Sequence, residues 1–369
     1  MNRPVTFFIA FVALFLFASP AVAGEVWLGP DGNDDRDGRS RETAVASGQR
    51  AVELAKPGDR VRLAEGTYGP LQFDRLRGTA DAPIVIAPSD DAPDRPADEH
   101  HSVRLTSGRL NSGTGLLLTR CEHVVVRGLE ITNSQKGTSL SSCQHCRIED
   151  NFVHQLGQEA IHVGRGTTNS GDDQFVGPAS HHVQVLRNRV AATGRVTAIY
   201  GEGIYIGTGA ILGDDSHDIL IEDNVLSDIS AEAIELKPGT TRLTVRGNQI
   251  SDTHHQYNAA ITVCVEGTTG PSGEYLIENN TIRDVRKVRY SVAAIAIGHG
   301  NATIRGNRIA DVDGAGIQVY RRFQNPDALL VTIEGNTIER TAGPPVQLHH
   351  GNCGQGDMLL KATVTVASD

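Results

Sequence analysis

The chain has 369 residues, 40 of them Gly, with 39% hydrophobic and 5% aromatic residues and a formal net charge of −10. That much glycine excludes a coiled coil or helical bundle, five Cys are too few for a disulfide scaffold, and the acidic balance argues against a nucleic-acid partner. What remains is a β-rich globular protein with many turns to make.

The first element is a leader. Arg3 precedes a short apolar run, Phe7 to Phe17, and Ala21, Val22 and Ala23 form the small-x-small pattern of a signal peptidase site. The run is too short for a membrane span, and no later segment reaches the length one needs. A signal peptide over 1–23 and a soluble periplasmic or extracellular monomer from Gly24 are therefore expected. Next, SGQRAVELA (47–55) reads as a short helix stopped by Lys56, Pro57 and Gly58, with a strand, VRLAEGTY (61–68), behind it. Such a helix suits a plug over the open end of a stack. The polar stretch 89–101 reads as a surface loop rather than a domain boundary, because strand signals resume directly after it.

From Val124 onward one theme recurs: a β-branched stretch, a Gly-Asn or Asp-Asn pair, an Ile or Val, a variable loop and a second apolar strand. CRIEDNFVHQLGQEAIHVG (146–164) and ILIEDNVLSDISAEAIELK (219–237) are examples. Asn falls in phase at Asn151, Asn188, Asn224, Asn248, Asn280, Asn307 and Asn336, at intervals of 37, 36, 24, 32, 27 and 29 residues. No amphipathic helix fits between these strands, which rules out a βαβ fold, and the elastic spacing argues against a propeller. The pattern predicts an all-β, right-handed parallel β-helix running as one domain from 24 to 369, whose coils stack at about 4.8 Å. Its turns are expected to hold Asn in a left-handed conformation, amide stacked on amide.

Cys121 and Cys143 occupy matching frames one coil apart, so they are expected to stack in the core or to form a disulfide. Cys143 and Cys146 form a CxxC, but Cys146 falls on an inward strand position and no second CxxC exists, which favours the core over a metal or redox role.

Aligning the second strand of each coil on Ile161, Ile204, Ile234, Ile261, Ile295 and Ile317 turns those residues inward. Two residues earlier, three successive coils carry Glu159, Glu202 and Glu232, and the later coils carry Ala. Carboxylates stacked at coil spacing repel one another unless a cation neutralises them, which points to Ca²⁺; a solvated acidic ridge is the alternative. The same coils present His162, Tyr205 and Glu235 in one outward column and Gly164, Gly207 and Lys237 in the next. Lys237, beside a glycine, is expected to face an open groove, where it can act as a general base or pair with Glu235. Tyr205 and His162 can deliver a proton to a leaving oxygen or line the groove for sugar rings. The loop 284–291 carries Arg286, Lys287, Arg289 and Tyr290, and Arg321 and Arg322 extend this patch; on an acidic protein it suggests a cleft for an anionic polymer, or simply solvated charge.

The stretch SGQRAVELAKPGDRVRLAEGTYGPLQF, followed by GTADAPIVIAPS, resembles the opening of secreted β-helix polysaccharide lyases of the chondroitinase B and alginate lyase family. In that family a catalytic Lys follows a calcium-binding Glu by five residues, and AEAIELK matches with Glu232 and Lys237. The resemblance implies Ca²⁺ on a uronate carboxylate, proton abstraction at C5 by Lys237, and β-elimination in an acidic polysaccharide. Two family positions differ: the second calcium Glu is Ser230 here, and the region of the following-coil Arg reads NAAITVCVEG. Glu202 and Glu159 are the available replacements for the lost ligand. Other activities on such a scaffold are a hydrolase using Glu202 and Glu232 as a carboxylate pair, a C5-epimerase sharing the first step of elimination, or carbohydrate binding without catalysis.

Overall fold

The computed structural model describes residues 23–91, 101–166, 177–209, 214–255, 259–263, 273–288, 292–298, 300–320, 329–349 and 358–366. Residues 1–22 of the expected signal peptide and most of the 89–101 stretch lie outside them, as do Arg289, Tyr290, Arg321, Arg322, Cys264 and Cys353.

Each coil contributes up to three short strands, and every registered strand pairing is parallel. One coil, for example, runs through His217–Glu222, Val225–Ile229 and Ile234–Leu236. These pair with Thr241–Arg246, Gln249–His255 and Ala259–Val263 of the next coil. The chain is thus a parallel β-helix with three faces. The sequence motif suggests two strands per coil, the first closed by the in-phase Asn. In the structure it marks only a bend, and the residues after it form the second face.

The bend is built differently from expectation. The left-handed residue is the one before each Asn: Asp150, Arg187, Asp223, Gly247, Asn279, Gly306 and Gly335 all have φ between 51° and 67°. The Asn itself turns inward and is fully buried. Asn224 Oδ1 accepts from the backbone N–H of Asn188 at 2.9 Å and from its side-chain amide at 3.0 Å. Its own Nδ2 donates to Val185 O at 2.8 Å and to Asn248 Oδ1 at 3.0 Å. The same exchange repeats from Asn151 to Asn336. An inward polar column is tolerated because its amides are satisfied from coil to coil.

The rest of the interior is mainly aliphatic. Ile161, Ile204, Ile234, Ile261, Ile295 and Ile317 are direct register partners and are fully buried, as the alignment predicted. Cys121, Cys143 and Cys146 are buried free thiols rather than a disulfide. Each lies within hydrogen-bonding distance of a backbone carbonyl, and their place is in the stacked core.

The helix Gly48–Leu54 caps the first coil, with the Ser47 hydroxyl accepting from Arg50 N–H. A side chain at Gly48 would put its Cβ 2.2 Å from Gln72 O, so glycine allows the helix to lie directly on the strand Leu71–Asp74. The predicted strand over 61–68 divides into Arg60–Leu63 and Gly66–Tyr68 at a corner. Among the described residues no helix is long and apolar enough to cross a membrane.

Candidate functional site

The third face carries the candidate chemistry. Its register stacks His162 on Tyr205, Tyr205 on Glu235, and Glu235 on Thr262, one coil apart each time. At the corner leading into that face, Ala160 N–H donates to Glu202 O and Gly203 N–H to Glu232 O, both at 2.9 Å, so Glu159, Glu202 and Glu232 form the predicted column. Gly203 permits the tight corner: a Cβ there would meet Ala233 O at 2.6 Å and Leu226 Cδ2 at 2.7 Å.

The carboxylates group differently from the expected set. Oxygens of Glu202, Glu232 and Glu235 lie within 4.8 Å of one another, and all three residues are buried. Glu159 instead bonds Lys136 Nζ at 2.6 Å. Lys136 stands one coil before Glu159 in the same corner column and neutralises the end of the ladder. Glu235, expected on the substrate side, completes the acidic cluster. The signal for both was present in the register: KGTSL (136–140) aligns with EAIHV (159–163).

Lys237 does not face an open groove. It is only 6% exposed, its Nζ lies 2.6 Å from Glu235 Oε1, and it sits 5.2 Å from the centre of the Tyr205 ring. The glycine opposite has the predicted effect of making room, but for a packed side chain: a Cβ on Gly207, at φ +98°, would lie 2.8 Å from Lys237 Cβ. The ion pair read as the alternative from sequence is therefore what the fold contains.

Burial and the neighbouring Glu235 and Glu232 charges push the Glu202 carboxyl up to about 9, so it holds a proton at neutral pH. Burial also raises the Tyr205 hydroxyl, opposed by the nearby Lys237 charge, and keeps it protonated. Burial lowers His162, which stays neutral. With Nε2–H donating to Gly207 O at 2.8 Å, the ring packs edge-on against Tyr205 at 4.9 Å. The imidazole is thus committed through Nε2–H to a carbonyl, with its ring against Tyr205.

The basic patch is partly spent. Arg286, next to the end of the strand Thr281–Lys287, pairs with Asp284 at 2.9 Å and Asp313 at 3.5 Å. Lys287 is exposed, with its backbone N–H bonded to Asp313. Sequence reasoning missed Tyr200, two residues before Glu202, which is 53% exposed on a short 3-10 turn, Ala198–Tyr200. Ser230, at the position of the family's second calcium ligand, donates to Ala198 O at 3.1 Å and anchors that turn instead.

The comparisons concern this same scaffold. A family model described as a right handed beta helix region matches residues 208–359. An alginate lyase from Paenibacillus sp. str. FPU-7 superposes with a TM-score of 0.60 and 21% identity, covering 83% of this chain and 96% of that one. The chain is a right-handed parallel β-helix. A GH136 lacto-N-biosidase from Eubacterium ramulus gives 0.56 and 14%, covering 93% and 67% of the two chains. A pectate lyase gives 0.53 and 11%, covering 91% and 80%. No curated protein sequence matches the chain. At these identities the β-helix neighbours establish the fold alone.

Proposed function

We propose that this chain is an exported polysaccharide lyase that cleaves a uronate-containing polymer by β-elimination, with Ca²⁺ held by Glu202, Glu232 and Glu235. The observation that carries the reading is the convergence of three buried carboxylates beside a buried Lys and a protonated Tyr. With Glu202 protonated, two carboxylates against one ammonium still leave one excess negative charge, and an all-oxygen donor set is what a hard divalent cation takes, its binding displacing the Glu202 proton. A bound calcium ion would neutralise the uronate carboxylate and so acidify the C5–H bond. Lys237, 2.6 Å from Glu235 Oε1, first passes one ammonium proton to that carboxylate, and the neutral amine then accepts the C5 proton. The C–H electrons form the C4–C5 double bond, the C4–O bond breaks, and Tyr205 donates its proton to the departing oxygen. His162 holds Tyr205 in place, and the exposed Tyr200 ring offers a face on which a sugar can stack. Exposed Lys287 supplies a cation along the same edge for further acidic residues of the polymer.

One observation favours a second reading, a retaining glycoside hydrolase. Glu202 is a protonated acid next to the Glu232 carboxyl, and unequal neighbouring carboxyls are the pattern of a general acid and a nucleophile. Incubation with alginate, pectate, glucuronan and glycosaminoglycans, with Ca²⁺ or EDTA, separates the two. Calcium-dependent ultraviolet absorbance of an unsaturated uronate supports elimination. New reducing ends without absorbance support hydrolysis, and neither signal with retained polymer binding removes the enzyme reading.

A further inference from the structure

A second constellation lies at a different corner, where the third face of one coil hands over to the first face of the next. Four successive coils read Cys121-Glu122-His123, Cys143-Gln144-His145, Ser180-His181-His182 and Ser216-His217-Asp218 at this corner. Glu122, Gln144, His181 and His217 are consecutive bridge partners. His123, His145 and His182 all take the left-handed conformation, at φ 50°, 53° and 53°, so their side chains leave the coil in one direction. The rings are in mutual contact. His123 stacks on His145 at 4.6 Å, His145 meets His182 at 4.8 Å, and His181 stacks on His217 at 5.1 Å.

Stacking alone does not account for how the nitrogens are aimed. His181 Nδ1 and His182 Nδ1 hydrogen-bond each other at 3.0 Å, and one ring nitrogen from each of His145, His181 and His182 lies within 4.8 Å of the others. Tetrahedral coordination with Zn–N near 2.0–2.1 Å sets neighbouring nitrogens about 3.3 Å apart. The His181 and His182 nitrogens already stand at nearly that separation, and exposed His145 brings a ring nitrogen within 4.8 Å of them from the preceding coil. The carboxylates at this corner are engaged elsewhere or peripheral. Asp218 bonds Arg242 at 2.7 Å, and Glu122 lies 3.9 Å from His123. The donor set is therefore imidazole, which suits zinc, copper or nickel and not calcium.

We propose that His145, His181 and His182 form a binding site for a borderline divalent transition metal, with zinc as the type ion, clipping two successive coils together at a corner other than that of the glutamates. A solvent water completes the coordination in the manner of open three-histidine sites. Nothing in this proposal depends on the lyase reading.

The test uses the full mature chain, without an affinity tag and stripped of metal, titrated with Zn²⁺ alone by calorimetry and with Co²⁺ by visible absorption. One Zn²⁺ per chain with a Kd of about 1 μM or below, and a tetrahedral Co²⁺ spectrum, are expected. The double variant His145→Asn/His182→Asn keeps residues that tolerate the left-handed backbone, and it should lose at least about tenfold in zinc affinity with an unchanged circular dichroism spectrum. Should it fail to fold, His181→Gln, at an ordinary bridge position, is read by the same two titrations. A wild-type chain that takes up no zinc overturns the proposal, as does a folded histidine variant of unchanged affinity. Glu202→Gln must leave zinc stoichiometry intact, and loss there would place the metal at the glutamates and overturn it too.

Discussion

The protonated Glu202 makes a quantitative demand on stability. Its carboxyl is pushed from an ordinary 4.5 up to about 9 in the folded chain, chiefly by burial and then by Glu235 and Glu232. Between those two values the folded state keeps a proton that the unfolded chain releases, so metal-free stability falls as pH rises through the window. Below pH 4.5 both states are protonated and the penalty vanishes. At pH 7 the cost is about 1.36 kcal/mol for each of the 2.5 pH units above 4.5, or about 3 kcal/mol. Glu202→Gln keeps the shape and a hydrogen-bonding head but cannot ionise. In EDTA the variant should therefore be more stable than the parent at pH 7 by up to about 3 kcal/mol, with the gap closing toward pH 4.5. Urea unfolding of both proteins from pH 4.5 to 9 reads this directly. Parallel pH profiles, or a variant less stable than the parent at pH 8, would refute the protonated-carboxyl assignment.

Three further substitutions probe the rest of the arrangement. Lys237→Met leaves Glu235 buried against other carboxylates, so it should cost about 3–5 kcal/mol and abolish turnover. Adding Glu235→Gln should restore most of the stability without the activity, whereas a stable and active single variant would remove Lys237 from the site. Asn224→Leu strands the backbone N–H of Asn188 together with the other groups it joins across three coils, each worth about 1–3 kcal/mol, and a loss under about 1 kcal/mol in urea would contradict the ladder. Tyr200→Ala removes an exposed ring that offers about 1 kcal/mol of stacking, so KM should rise about fivefold at unchanged kcat and thermal midpoint; an unchanged KM would exclude the platform.

The stacking of the coils was legible because a parallel β-helix repeats its register. The Ile columns and the Glu159, Glu202 and Glu232 column could be aligned from spacing alone, and each aligned residue pairs with its neighbour in the fold. Backbone handedness was less legible, since Asn is a residue type that tolerates positive φ, yet here the in-phase Asn serves as the buried linker and the Asp, Arg, Asn or Gly ahead of it takes the turn. Side-chain pairing was the hardest to read. Alternation says that Glu235 and Lys237 leave the core, but not that Lys237 folds back over Gly207 onto Glu235, nor that Lys136 withdraws Glu159 from the cluster. Those choices are made by local charge balance between coils, which a column of letters does not display until each coil is matched to its neighbour on both sides.

The most direct test of elimination is the fate of water. Polymer digested with Ca²⁺ in heavy-oxygen water should give oligosaccharides that carry an unsaturated uronate end and no heavy oxygen at the cleaved bond, with no products in EDTA. Heavy oxygen at the anomeric carbon of the new reducing ends, with saturated rather than unsaturated non-reducing ends, would contradict β-elimination and assign Glu202 and Glu232 to hydrolysis.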